Sequence, residues 1–172
     1  MNIDELKALS ESAGGNEKKL SLIVFSGDFD RITAAFTLAT GAAAVGYKVN
    51  LFFTFWGLNA IKEKKGHSLC GKGFISKILN FMMGGMGCMP TSRMNFAGTS
   101  PKIFRHLMRK HNVATPDDLT KAATALGIEI YACEMAMVIL GLEKSDLIHE
   151  VNDVVGVATF LNISEGGRTL FI

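Results

Sequence analysis

Three cysteines are few for 172 residues, and an odd number cannot all pair within one chain. Cys70, Cys88 and Cys133 have no framework spacing, so a disulfide-stapled secreted scaffold is excluded, and reduced thiols in a cytoplasmic protein are the simplest reading. The first residues, Met1-Asn2-Ile3-Asp4-Glu5, are acidic and lack the basic-then-apolar pattern of a signal peptide. Charge is scarce as well. Charged residues make up 20% of the chain and the net charge is +2, too slight to argue for a nucleic-acid partner. The longest apolar stretch, Ile32 to Val49, is interrupted by Gly41, Gly46 and Lys48, and reads as a buried helix followed by a strand rather than a membrane span. No Gly-x-x-x-x-Gly-Lys-Ser/Thr loop is present, and no Gly-x-Gly-x-x-Gly follows the first apolar run, so nucleotide binding is unsupported. A Gly-x-Ser-x-Gly elbow is also missing, which disfavours an α/β-hydrolase. There is no internal repeat.

What remains is a chain of one domain's size with 48% hydrophobic residues and a positive mean hydropathy. A monomer this small would struggle to hide so much apolar surface, so a homo-oligomer is expected. Residues 1–19 read as a polar leader. Leu20-Ser21-Leu22-Ile23-Val24-Phe25 has the near-continuous apolar character of a strand buried on both faces. Ser26-Gly27-Asp28 makes a tight turn, with Asp28 or Asp30 placed to cap an alanine-rich helix from near Arg31 to about Val45, which Gly46 ends. Tyr47 to Phe55 is the second strand, which completes a βαβ unit with a right-handed crossover. Asn59 to Lys65 reads as a short basic helix. Lys62, Lys64 and Lys65, like Arg105, Arg109 and Lys110 later, have the helical spacing of solvated faces.

Residues 66–98 form a Gly/Met-rich insertion that reads as a lid or a subunit contact. Phe74 to Met83 is an amphipathic helix within it, with Phe74, Ile78 and Phe81 or Met82 on one side. Beyond it, Pro101 to His111 and Pro116 to Leu126 are polar helices, the second opened by Thr115, Pro116, Asp117 and Asp118. A strand then leads to Cys133, followed by helices over Met135 to Leu140 and Ser145 to His149. Val151 to Val155 is a short strand, Val157 to Ser164 a helix, and Thr169 to Ile172 a β-prone tail. The pattern is alternating α/β: about five mainly parallel strands with helices on both faces, a three-layer αβα sandwich.

In such a sheet ligands bind beyond the carboxyl ends of the strands. Ser26-Gly27-Asp28, Trp56-Gly57 and Cys133 all end strands there, so they mark the candidate site. Cys133 stands where an apolar strand runs into a helix, and the unpaired N–H groups of a helix start favour a thiolate over a thiol. The alternative is that Cys133 is simply a small buried apolar residue. His67 and Cys70 have ligand-like spacing, and Cys88 could join them. Zinc sites normally show paired clusters, so this set is incomplete, and the competing reading is of unrelated loop residues. Cys88-Met89-Pro90-Thr91 has the form of a CxxT redox motif.

Several stretches together resemble the DsrE/DsrF-like family, which includes small sulfur-relay proteins such as TusD, and especially its peroxiredoxin-like branch. They are Phe25-Ser26-Gly27-Asp28-Phe29-Asp30-Arg31 with Ala34-Ala35-Phe36, Gly41-Ala42-Ala43-Ala44-Val45-Gly46, Phe53-Thr54-Phe55-Trp56-Gly57-Leu58, Ile130-Tyr131-Ala132-Cys133, and Val155-Gly156-Val157-Ala158-Thr159-Phe160-Leu161. The Pro-x-x-x-Thr-x-x-Cys peroxidatic motif is missing, so the branch name carries no peroxidase reading here.

The resemblance implies a single DsrE-like αβα domain of flavodoxin-like topology over residues 1–172, oligomers, and a cysteine that carries sulfur as a persulfide. That role maps onto Cys133. Cys88 would be a resolving or relay thiol, Asp28 would position a water or the donor or simply cap its helix, and Lys72 or Arg93 would attract an anionic donor. The expected partners are sulfur donor and acceptor proteins or thiosulfate, with no cofactor and no resident metal. The alternatives are a non-enzymatic module that docks a partner or a membrane surface through the Met-rich loop, and a Cys/His metal-binding protein using His67, Cys70 and Cys88.

Overall fold

Five parallel strands in the order β4-β3-β2-β1-β5 make up the sheet of the computed structural model, which describes residues 18–63, 74–93 and 99–172. The strands are β1 (Lys19–Val24), β2 (Lys48–Phe53), β3 (Glu129–Cys133), β4 (Asp153–Val155) and β5 (Arg168–Phe171). The helices are α1 (Phe29–Ala44), α2 (Phe74–Met83), α3 (Ser100–Lys110), α4 (Pro116–Ala125), α5 (Glu134–Leu140) and α6 (Val157–Ser164). Of the expected leader only Lys18 and Lys19 are described, and Lys19 already belongs to β1. His67, Cys70 and Lys72 lie outside the described residues.

β1 and β2 are in register over their whole length, with Leu22 beside Leu51 and Val24 beside Phe53, and β3 continues the register with Ile130 beside Leu51. Adjacent residues of β2 serve opposite layers because strand side chains alternate. Phe53 meets Phe36 of α1 at a ring-centroid distance of 5.9 Å. Phe52 stacks on Phe160 of α6 at 4.4 Å on the other side. The strands are therefore apolar on both faces, as a sheet covered by helices on both sides requires. The layers and the all-parallel sheet follow expectation. The strand order differs from the 2-1-3-4-5 of flavodoxin. Here β2, β3 and β4 add in turn on one side of β1, and the direction reverses once, when α6 crosses the opposite face to set β5 beside β1.

Local chemistry explains the boundaries. Thr115 and Asp118 form a capping box at the start of α4: the Thr115 hydroxyl donates to Asp118 Oδ2 at 2.6 Å and the Thr115 N–H at 3.0 Å. Gly141 ends α5 in the left-handed conformation at φ 66°. Two expected helices differ. A 3-10 helix over Phe55–Ile61, entered through a left-handed Phe55 (φ 45°), overlaps the expected Asn59 to Lys65 only at Asn59 to Ile61, and Lys64 and Lys65 lie outside the described residues. Ser145 to His149 shrinks to the 3-10 turn Lys144–Asp146, closed by the Glu143–Asp146 box.

Lys62 is a further correction. Its side chain is buried at 1% exposure. The ammonium donates to Asn80 Oδ1 at 2.6 Å and to the Gly84 carbonyl at 3.4 Å, while the Asn80 amide donates to the Leu140 carbonyl at 2.9 Å. The end of the 3-10 helix, α2 and the last turn of α5 are thus joined through one buried polar chain. On α2 it is Asn80 that faces inward, whereas Phe74 (80% exposed), Ile78 and Phe81 face outward.

Candidate functional site

The carboxyl ends of β1 and β2 are locked together by close backbone contact. The Gly57 N–H donates to the Phe25 carbonyl at 2.9 Å, and the Thr54 N–H to Val24 at 3.0 Å. A Cβ on Gly27 would lie 2.5 Å from the Trp56 carbonyl oxygen, and one on Gly57 would strike the Val24 carbonyl oxygen. Only glycine fits at either position, so Ser26-Gly27-Asp28 and Trp56-Gly57 do meet at one edge. Asp28 is occupied within this turn. Its Oδ2 accepts from the Ser26 hydroxyl at 2.8 Å and sits 3.7 Å from Arg31 Nε, and its N–H donates back to Ser26 Oγ. It stands at the N-cap of α1 without a side-chain cap bond, so its carboxylate holds the turn.

Cys133 ends β3 and is the N-cap residue of α5, with φ −76° and ψ 115°. Strand and helix meet at this residue because Ile130 and Ala132 bury into the sheet while Ala136, Met137 and Leu140 bury one side of α5. The thiol is free and 1% exposed. Both readings of the residue therefore meet in it: it sits at a helix start, and it is part of the apolar core. A sulfur atom so placed is not presented to a partner in this conformation.

Tyr131, two residues earlier on β3, donates its hydroxyl to Glu129 Oε2 at 2.8 Å. Burial and the neighbouring Glu129 carboxylate push its phenol up to about 12.

Cys88 is a free thiol of intermediate exposure. It lies between Met86 and Met89, both buried in the continuous core that also contains Cys133. The loop around it is tied down at several points. Arg105 donates to the Met86 carbonyl at 2.5 Å and to the Gly87 carbonyl at 3.2 Å, and the Phe29 N–H donates to the Pro90 carbonyl at 2.7 Å. Of the Met-rich loop expected to dock a partner, Met86 and Met89 face inward because the loop caps the core, and Met94 lies outside the described residues. The CxxT reading also loses its context, since Cys88 to Arg93 are not helical. At the end of this loop both carboxylate oxygens of Asp30 accept from Ser92, from its N–H at 2.9 Å and its hydroxyl at 2.5 Å. Partial burial acts to raise the Asp30 carboxyl, but these hydrogen bonds outweigh it and hold the group below its ordinary value.

Among the described residues no group of three His, Cys, Asp or Glu side chains is placed to hold a metal ion. The proposed third ligand, Cys88, is described, but His67 and Cys70 are not. No helix among the described residues is long and apolar enough to cross a membrane. Sequence reasoning missed the Lys62–Asn80 link and the buried Thr91. Nothing in local periodicity marks either, because each depends on a contact with a distant segment.

Comparison with known proteins agrees with this architecture. The model of the DsrE/DsrF/DrsH-like family matches residues 16–171. An uncharacterized protein of Bacillus subtilis (strain 168), YrkE, is 41% identical over 157 residues, covering 90% of this chain and 97% of its own. The sulfur carrier protein DsrE2 of Allochromatium vinosum is 27% identical over 159 residues, covering 91% of this chain and 99% of its own. Among solved structures, MTH1491 from Methanobacterium thermoautotrophicum, a protein of unknown function, has a TM-score of 0.53 at 14% identity and covers 90% of this chain and 99% of its own. The ychN protein from E. coli has a TM-score of 0.50 at 10% identity, with 90% and 97% covered. These two likenesses concern the fold.

Proposed function

Because the chain belongs to the DsrE/DsrF/DrsH-like family, we propose that it is a cysteine-based sulfur carrier in which Cys133 holds sulfane sulfur as a persulfide and passes it to a partner thiol. The observation that carries this reading is the position of Cys133 at the carboxyl end of β3 and the start of α5, next to the edge formed by Ser26–Asp28 and Trp56–Gly57. In loading, the Cys133 thiolate attacks the outer sulfur of thiosulfate: the new S–S bond forms as the old one breaks, sulfite leaves with the electron pair, and Cys133 persulfide remains. In unloading, a partner thiolate attacks the outer sulfur of that persulfide, and Cys133 leaves as thiolate. A donor protein persulfide would serve as thiosulfate does, with its own thiolate as the leaving group.

Because Cys133 is 1% exposed, both steps require its cover to move. Cys88, more exposed and on the loop that caps the same core, is the candidate relay or resolving thiol. The carrier would work in the cytoplasm, with donor and acceptor proteins as partners and as a homo-oligomer. The exposed Phe74, Ile78 and Phe81 of α2 and Val138 (75% exposed) and Ile139 of α5 support self-association. That apolar face also favours a second reading, a non-enzymatic docking module.

Intact-mass spectrometry after incubation with thiosulfate or a persulfide donor separates the two. The carrier gains the mass of one sulfur atom, reductant removes it, and Cys133→Ser abolishes the gain. Loading of Cys133→Ser equal to the parent's refutes the assignment, and loss of loading in Cys88→Ser alone reverses the two roles.

A further inference from the structure

The net charge of +2 conceals a sharp division along the chain. Residues 64–116 hold nine of the 18 lysines and arginines and not one aspartate or glutamate, so this stretch carries +9 and the rest of the chain −7. A block of one sign that long points to a partner of the opposite sign.

Within this stretch α3 displays the charge beside apolar surface. At 3.6 residues per turn its side chains sort into three stripes about 120° apart. Pro101, Arg105 and Met108 fasten the helix to the molecule. Pro101 is buried, Met108 packs against the core, and Arg105 lies 5.0 Å over the Phe29 ring while donating to the Met86 and Gly87 carbonyls. The second stripe is apolar and open to water: Ile103 is 54% exposed, Phe104 49% and Leu107 42%. The third is Lys102, His106, Arg109 and Lys110, all exposed. Asp118, at the start of α4, is near enough to Arg109 to be drawn by it, and its Oδ2 already accepts twice from Thr115.

An open apolar stripe with a row of cations alongside, on a helix that is polar overall, suits a position in the plane of a membrane interface. The apolar side chains enter the boundary of the acyl chains, and flexible lysine stems carry their ammonium groups to the headgroups. Diffuse negative charge over hydrocarbon matches both stripes at once. No helix among the described residues is long and apolar enough to span a bilayer, so the contact is one of surface only.

We propose that α3 docks the protein on an anionic lipid surface, with Ile103, Phe104 and Leu107 at the acyl boundary and Lys102, Arg109 and Lys110 among the phosphates. The docking helix is separate from the sulfur chemistry and does not rest on it.

The test sediments the full-length chain, under reducing conditions, with vesicles of phosphatidylglycerol and phosphatidylcholine in equal parts. Pure phosphatidylcholine vesicles are the comparison. Each cation near an anionic surface strengthens binding about fivefold, so Lys102→Ser with Lys110→Ser weakens it about twenty-five-fold. Ile103→Ser with Leu107→Ser weakens it about tenfold, by loss of the apolar contact. Binding collapses at about 1 M salt, where the screening length is ~3 Å. Hydrogen exchange on the vesicles slows over residues 100–111. Thermal melting confirms that the variants fold, and the lipid and salt comparisons decide the matter on the parent chain alone.

Equal binding to phosphatidylcholine, binding that survives the salt, indifference to the paired lysine substitutions, or protection confined to other helices would each overturn the proposal. So would tighter binding of polyglutamate or duplex RNA than of the anionic vesicles, which would give the surface to an acidic protein or a nucleic acid. Cys133→Ser leaves vesicle binding unchanged, so failure of this proposal and failure of the sulfur-carrier reading are scored on separate measurements.

Discussion

Asn80→Leu is the sharpest test of the buried polar chain that ties α2 to the 3-10 helix and to α5. The substitution removes the acceptor 2.6 Å from the Lys62 ammonium and the donor 2.9 Å from the Leu140 carbonyl. A hydrogen bond to a charged group contributes about 1.5–3 kcal/mol and a neutral one about 0.5–1.5 kcal/mol. Side-chain volume is nearly kept, so the cavity contribution is small. The expected loss is about 2–4 kcal/mol, and a loss of about 3 kcal/mol in a chain of this length lowers the melting temperature by roughly 6–12 °C. Lys62→Met in the same background should recover at least about 1 kcal/mol, because the ammonium that lost the Asn80 acceptor is removed while its apolar stem stays packed. Urea unfolding of parent, both single variants and the double variant closes the cycle. Two results would refute the reasoning: a loss below about 0.5 kcal/mol in Asn80→Leu, or a double variant no more stable than Asn80→Leu. Either would mean that the ammonium is solvated in solution and the chain is not a structural tie.

The remaining predictions concern the rest of the sheet edge. Gly57→Ala should destabilise the protein by about 2–4 kcal/mol, since its methyl meets backbone rather than a side chain that could swing away; a chemical-unfolding midpoint equal to the parent's would contradict the close packing of the two turns. In a Tyr47→Phe background, ultraviolet titration should find Tyr131 ionising near 12, and Glu129→Gln should lower that midpoint. The folded state then holds a proton that the unfolded chain releases near 10, so this contribution to stability is complete below about 10 and is lost as pH rises towards 12; a midpoint near 10 in the folded protein would exclude the buried pair. For Asp30 the sign is opposite. Its Ser92 clasp stabilises the fold above the ordinary value of 3.8 and fades as pH falls through the depressed folded value, and Ser92→Ala should move the carboxyl resonance midpoint upward. An unmoved midpoint would deny the clasp.

Most of the fold was legible because its signals are local. The apolar run from Leu20, the alanine-rich helix ended by Gly46, Pro116 after Thr115, and the strand running into Cys133 each carry their boundary within a few residues, and the structure keeps them within about one turn. The candidate site was half legible. The place of Cys133 between strand and helix was legible because such a joint is a sequence feature, but its burial is not: that depends on what packs over the sheet edge. Lys62 shows the same limit. Its spacing with Lys64 and Lys65 suits a solvated face, yet a partner on α2 draws it inside. The α2 pattern left its inward side open. Phe74, Ile78 and Phe81 share one side of the helix, but the inward side is set by Asn80, whose two hydrogen bonds reach Lys62 and Leu140. Thr91 shows no signal in the sequence, since its burial is created where α1 and α3 meet the loop.

The pairing of β5 with β1 bears on how the polypeptide is made. Leu20 lies beside Arg168 and Ile23 beside Phe171, so β1 receives its outer neighbour only after β2, β3 and β4 have been made. β2 and β3 can dock in the order of their emergence, and the helices between them can cover one face as they appear. The other flank of β1 has to wait, with a row of unsatisfied amides and carbonyls next to apolar residues. On the ribosome this half-built sheet is a template for any stray strand, and closure comes in one late event when Arg168–Phe171 slides into place.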